Sequence, residues 1–186
     1  MEYPKRKHPR LASLDYSAPN IYFLTLCTRD RNRCLSRIVG RGLDPAVPRP
    51  PDHEPYLSAA SCKLELTPWG KIAEQDLLDL PRHFDGVTIL QYVIMPDHIH
   101  ILLQLDAAGW VAGSRPRPTK PPDRERPRPA VPTMIGQYKS GVSRRCGHAL
   151  WQNSYYDHVV RNEAELLEIR RYIENNPLQW LLDGKA

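Results

Sequence analysis

The 186-residue sequence predicts an α+β fold: a mostly antiparallel, ferredoxin-like sheet with helices packed on one face. Two observations carry this expectation. Segments of two-residue and 3.6-residue hydrophobic period follow one another in the order strand, helix, hairpin, helix, short strand, helix. In addition, 12 of the 19 prolines crowd into two short windows, five between Pro45 and Pro55 and seven between Pro116 and Pro132. Proline fixes φ and lacks a backbone N–H, so neither window suits a helix interior or a central strand. Residues 40–56 and 106–133 are therefore expected to be loops or insertions within one domain spanning residues 1–186.

In chain order, residues 21–28 (IYFLTLCT) combine β-branched, aromatic and aliphatic side chains and read as a buried strand. Thr67 and Pro68 form a helix entrance, as N-cap and first-turn residue; Ile72, Leu77, Leu78 and Leu80 continue the helix to a stop within 81–86. Residues 87–95 and 98–105 are two strands joined by a tight Pro96-Asp97 turn. A moderately amphipathic helix follows over 134–146 and a short strand over 155–160. The clearest helix covers 163–176, with Leu166, Leu167, Ile169 and Ile173 apolar and Pro177 as its stop.

Composition narrows the class. A hydrophobic share of 41% and a net charge of +5 suit a soluble globular chain, and no apolar run approaches the length of a membrane span. The basic opening MEYPKRKHPR leads into no apolar stretch of the secretory kind. Cys27, Cys34, Cys62 and Cys146 contain no C-x-x-C pair, so they are expected to be reduced thiols of a cytoplasmic protein. At this length a TIM barrel is excluded.

The chemistry concentrates in residues 92–105, YVIMPDHIHILLQL. Strand side chains alternate, so His98 and His100 share a face with Leu102 and Gln104, opposite an apolar row of Ile99, Ile101, Leu103 and Leu105. Two imidazoles so spaced can hold one divalent metal, and they can equally be polar residues on a solvated strand face. Leu102 departs from a histidine triad, and Leu102-Leu103 departs from the H-x-H-x-D-H of metallo-β-lactamases. Tyr172 and Asn176 lie one helical turn apart, where a phenol and an amide oxygen could address a metal held by the histidines; both residues also suit plain packing and helix-stop roles.

Three blocks together carry a resemblance: 92–103 (YVIMPDHIHILL), 151–162 (WQNSYYDHVVRN) and 172–177 (YIENNP). In this order and spacing they resemble the single-tyrosine HUH transposases, in particular the REP-associated tyrosine transposase branch, over most of residues 15–182 outside the proline-rich windows. The resemblance implies His98 and His100 as metal ligands, Asn176 as the polar third ligand and Tyr172 as nucleophile, with Mg²⁺ or Mn²⁺ as the ion. It implies a metal-dependent endonuclease that cleaves and rejoins single-stranded DNA through a 5′-phosphotyrosine, at palindromic repeat hairpins. Tyr155 and Tyr156 are rival nucleophiles. A domesticated relative that binds DNA hairpins without cutting is the alternative, and an RNA-processing nuclease with the same core is a third. Monomer and homodimer both stay open.

For DNA contacts, Lys139, Arg144, Arg145 and Arg161 offer phosphate-binding charge, Trp151 a stacking surface and His158 a polar contact. Residues 115–128 carry a net +4 and residues 1–10 a net +3, so these two segments hold more than the whole excess and are expected to act as electrostatic arms.

Overall fold

The computed structural model describes Asp15 and residues 18–40, 62–106 and 130–184. The two proline-rich windows, apart from residues 40, 106 and 130–133, and both basic segments lie outside these described residues. Strand β1 (Asn20–Cys27) is buried on both faces, as its unbroken apolar and β-branched composition requires. A single turn of 3-10 helix (Arg29–Arg31) leads into a hairpin of β2 (Ser36–Gly40) and β3 (Cys62–Leu66). Helix α1 (Pro68–His83) follows, then β4 (Val87–Ile94), β5 (His98–Leu105), α2 (Val131–Cys146), β6 (Tyr156–Val159) and α3 (Glu163–Leu182).

The main sheet has the order β4-β5-β1-β6, antiparallel at every pairing. With β1, α1, β4, β5, α2 and β6 as the core β-α-β-β-α-β series, this is the ferredoxin-like topology. Alternate residues of the central strands feed two cores. Tyr22, Leu24 and Leu26 of β1 and Ile99, Ile101 and Leu103 of β5 pack with Ala73 and Leu77 of α1 and Met134, Ile135 and Tyr138 of α2. Phe23 and Leu102, on the opposite face, pack with Ile169, Ile173 and Trp180 of α3. The expectation that the helices lie on one face therefore holds for α1 and α2 and needs correction for α3, which covers the other face because both rows of β5 are apolar or buried.

Helix α1 begins as its sequence demands: Thr67 Oγ1 accepts from the Gly70 amide at 3.1 Å, and Pro68 occupies the first turn, where its missing N–H costs nothing. Two expected boundaries move. Helix α2 starts at Val131 rather than 134, because Pro132 falls in its first turn. Helix α3 runs through Pro177 instead of stopping there. Pro177 cannot donate to the Ile173 carbonyl, yet burial of Trp180 on the sheet holds the next turn in place. Pro81 likewise sits inside the last turn of α1. The β2–β3 hairpin has no counterpart in the sequence-based expectation: its strands are five residues each, carry charge at Arg37, Lys63 and Glu65, and stand on either side of residues 41–61.

The entry of α3 is pinned by a small polar network. Asn162 accepts from the Glu165 amide at 2.9 Å, while Glu165 accepts from the Arg161 amide at 2.7 Å and meets His158 Nε2 of β6 at 2.7 Å. The Arg161 amide first, then the hydrogen bond and charge of His158, hold the Glu165 carboxyl below its ordinary range, against a smaller opposing effect of burial. A depressed folded value means stability that is present above the unfolded value near 4.5 and lost as pH falls through the folded one. Glu165→Gln is accordingly expected to flatten the acid limb of a Tm-against-pH curve below about pH 5; an unaltered acid limb would remove Glu165 from this role.

Gly70 tests the packing of α1. A Cβ there would stand 1.9 Å from the Leu35 carbonyl oxygen, a backbone atom with no room to move. Gly70→Ala is expected to lower stability by about 1–3 kcal/mol, read as a shift in denaturant midpoint.

Candidate active site on the α3 face of the sheet

The β1–β5 register sets Thr25 opposite His100 and Cys27 opposite His98. Because strand faces alternate, both histidines project toward α3 rather than toward solvent, and they are only 7% and 4% exposed. Each ring is anchored through Nδ1. Asp97 Oδ1 lies 2.5 Å from His98 Nδ1, and Thr25 Oγ1 lies 2.9 Å from His100 Nδ1. The carboxylate requires Nδ1 of His98 to be the donor, so that in the neutral ring the lone pair sits on Nε2. The same tautomer arises at His100 when the Thr25 hydroxyl accepts. The two Nε2 atoms converge at 3.1 Å.

Helix α3 closes the site from above. Tyr172 Oη is 3.3 Å from His100 Nε2, and its ring meets His100 edge-on with centroids 5.1 Å apart. Phe23 stacks on the other side of His100 at 5.2 Å and also meets Tyr172 edge-on, so the three rings lock one another. Two turns further along α3, the Trp180 ring lies 5.8 Å from that of His98. Tyr172, Asn176 and Trp180 recur at four-residue spacing and therefore form one stripe. Asn176, buried and midway between residues that touch His100 and His98, stands on the stripe that faces the histidine pair.

Electrostatics at the site follow from burial. Desolvation first, then the charge of His98 and of Arg31, push the His100 imidazole well below its usual pKa, so it is neutral at physiological pH. Burial acts to raise the Asp97 carboxyl, but the hydrogen bond and charge of His98, with Arg31 and Arg33, outweigh it and keep Asp97 ionised. A neutral imidazole and an ionised partner behind its neighbour are what metal ligation requires.

The donor set can be tested against a metal by geometry. Two imidazole nitrogens bound cis at about 2.1 Å lie about 3.0 Å apart in octahedral coordination and about 3.4 Å apart in tetrahedral coordination. The observed Nε2–Nε2 separation is 3.1 Å. Among the described residues no group of three or more His, Cys, Asp or Glu side chains converges. On the α3 stripe that faces the pair, Asn176 is a buried residue with a polar side chain.

The remaining residues singled out in the sequence are not gathered here. Lys139, Arg144 and Arg145 belong to α2, across the sheet. The Lys139 ammonium donates to the carbonyls of Gln152, Asn153 and Ser154, and Arg145 pairs with Asp76 of α1. Trp151 is buried in the α1–α2 core beside Tyr138, His158 is engaged by Glu165, and Arg161 is exposed at the start of α3. Of the rival tyrosines, Tyr155 packs on the α1–α2 side, whereas Tyr156 lies on the α3 face opposite Thr25, one strand farther from His100. Sequence reading passed over Thr25, Asp97, Arg31 and Arg33 as site residues; only the Asp97-His98 adjacency could have been read from the linear chain.

Asp97→Ala leaves His98 Nδ1 without its acceptor. With Mn²⁺ as the probe of the candidate metal site, the variant is expected to bind roughly 10–100-fold more weakly than the parent in a calorimetric titration, and an equal Kd would show that Asp97 does not orient the ring.

No protein-family model matches the chain. An uncharacterized protein of Haemophilus influenzae is 26% identical over 187 residues, covering 96% of this chain and 91% of its own length. Among solved structures, that of a REP-associated tyrosine transposase bound to a REP hairpin superposes with a TM-score of 0.54 at 15% identity, covering 96% of this chain and 74% of that one. With its β4-β5-β1-β6 sheet and its added third helix, the chain has the fold of a REP-associated tyrosine transposase.

Proposed function

We propose that this protein is a metal-dependent, single-tyrosine HUH transposase of the REP-associated kind, which cleaves and rejoins single-stranded DNA. The observation that carries the reading is the placement of Tyr172 Oη 3.3 Å from an imidazole nitrogen that itself lies 3.1 Å from the second one. The hairpin-bound relative of the same fold supports DNA as the substrate and a palindromic repeat hairpin as its form.

His98 and His100 would hold the ion, with Asn176 as third ligand and Mg²⁺ or Mn²⁺ suited to the remaining oxygen positions. When bound, such an ion polarises the scissile phosphate and offsets its developing charge. Tyr172 supplies the nucleophile. Its oxygen forms a bond to phosphorus as the P–O3′ bond breaks, giving a 5′-phosphotyrosine and a free 3′-hydroxyl. One proton leaves Tyr172 Oη and one reaches the departing O3′, so charge and atoms balance. Attack of a 3′-hydroxyl on the phosphotyrosine reverses the step and rejoins DNA without external energy. Phe23, whose ring meets Tyr172 edge-on, keeps the tyrosine ring in place during both halves. Among exposed cations, Arg144 and Arg161 are proposed as backbone contacts away from the chemistry.

Incubation with labelled single-stranded repeat hairpins and Mn²⁺ is expected to give a covalent protein–DNA band that withstands denaturation. Tyr172→Phe should abolish the band, and His100→Ala should reduce it at least 100-fold. A band that persists in Tyr172→Phe would move the nucleophile to another residue, Tyr156 first. No band with any repeat of the host genome would favour a hairpin-binding protein that does not cut.

A further inference from the structure

We propose that the loop of residues 29–33, Arg-Asp-Arg-Asn-Arg, is a second part of the nucleic-acid site: it receives the phosphodiester backbone of a single strand next to the histidine pair, with Arg31 and Arg33 as the contacting residues. The inference rests on the strand-cleaving reading of that pair and extends it to a surface that the sequence did not mark.

The loop is built onto the turn that delivers His98. At its start the Thr28 amide donates to the Asp97 carbonyl at 2.9 Å, and the Thr28 hydroxyl lies 3.0 Å from the same oxygen and 2.8 Å from the Asn32 carbonyl. At its end the Leu35 amide donates to the Pro96 carbonyl at 3.0 Å. Between these ties, Asp30 and Arg31 both occupy the left-handed region, with φ of 54° and 56°. Two successive non-glycine residues rarely adopt that conformation, and here the anchored ends over-determine it.

The consequence is where the guanidinium groups go. Arg31 Nη1 lies 3.5 Å from Asp97 Oδ2, behind the carboxylate oxygen that holds His98. Its side chain is 56% exposed, so the pair is long and screened, and most of its five N–H donors face solvent. Arg33, also exposed, stands over the Trp180 ring with 5.5 Å from the guanidinium carbon to the centroid. Trp180 is in turn 5.8 Å from the His98 ring. Both cations thus flank His98, at the opposite end of the pair from Tyr172. Arg29 is exposed in the same loop and Asp30 is its only acid, giving the five residues a net +2. A strand whose scissile phosphate meets Tyr172 over the histidines would bring a neighbouring phosphate to these guanidinium groups, whose planar fork suits two phosphate oxygens. Of the cations that sequence suggested for this task, Lys139 and Arg145 are instead engaged across the sheet.

The test is fluorescence anisotropy with a labelled single-stranded DNA, without metal and in a Tyr172→Phe background, so that binding is read apart from cleavage. Arg31→Gln/Arg33→Gln is expected to weaken binding about tenfold and to reduce the slope of log K against log salt by roughly 0.7 per lost phosphate contact. Arg31→Lys/Arg33→Lys should keep the slope, and Arg82→Gln, on the far face in α1, should change neither quantity. An unchanged affinity and slope in the glutamine pair would overturn the proposal, as would a lysine pair that behaves like it. The covalent-band assay on the parent protein keeps the two readings apart: arginine-dependent binding without a band leaves the loop standing and removes the tyrosine chemistry, whereas a band with arginine-independent binding removes the loop alone.

Discussion

The seating of α3 on the second face of the sheet is the constraint from which the rest of the site follows. In a two-layer α+β sheet the face away from the helices meets water, and there a pair of strand histidines would be ordinary polar residues. Here Ile169, Ile173 and Trp180 bury that face together with Phe23, Val93 and Leu102. Burial removes the histidines from solvent, depresses the affinity of His100 for a proton, and brings a phenol to within hydrogen-bond reach of its Nε2. One apolar packing event therefore supplies the neutral imidazole, the dry environment and the candidate nucleophile together.

Supports for the imidazoles come from the opposite direction, along the strands. Thr25 can reach His100 only because β1 pairs antiparallel with β5 in the register that sets these residues side by side. Shifting the register by one residue would turn Thr25 to the other face. Asp97 belongs to the turn before β5, and its carbonyl also ties down the segment that follows β1. The same turn thus orients one ring and anchors the arginine loop, which couples the rigidity of the pair to the position of nearby charge.

Much of the architecture is legible in the sequence. The strand alternation of residues 98–105 showed that His98 and His100 share a face, and β5 spans those same residues. Thr67-Pro68 announced α1, and the α1–β4–β5–α2–β6 succession was readable from periods and turn residues, α2 and β6 from the weaker signals. The β2–β3 hairpin was not readable: its strands are five residues each and separated by a proline-rich window, so neither carries a clear periodic signal of its own. Reading Pro177 as a stop failed for a related reason. Local propensity ends a helix there, and only the burial of Trp180, a tertiary contact, carries it onward.

Sequence by itself determined the kinds of residue available and their spacing within an element: two imidazoles on one strand face, and a phenol and an amide on one helix stripe. Those facts depend only on the two-residue and 3.6-residue repeats of the backbone. Tertiary structure decided which stripe faces which strand, since that depends on contacts between residues 72 positions apart, as for His100 and Tyr172. It also decided which cations are near the histidines. Among the described residues, charge counts along the chain pointed to α2, whereas the fold brings Arg31 and Arg33 near, because the loop after β1 is tied to the turn before β5.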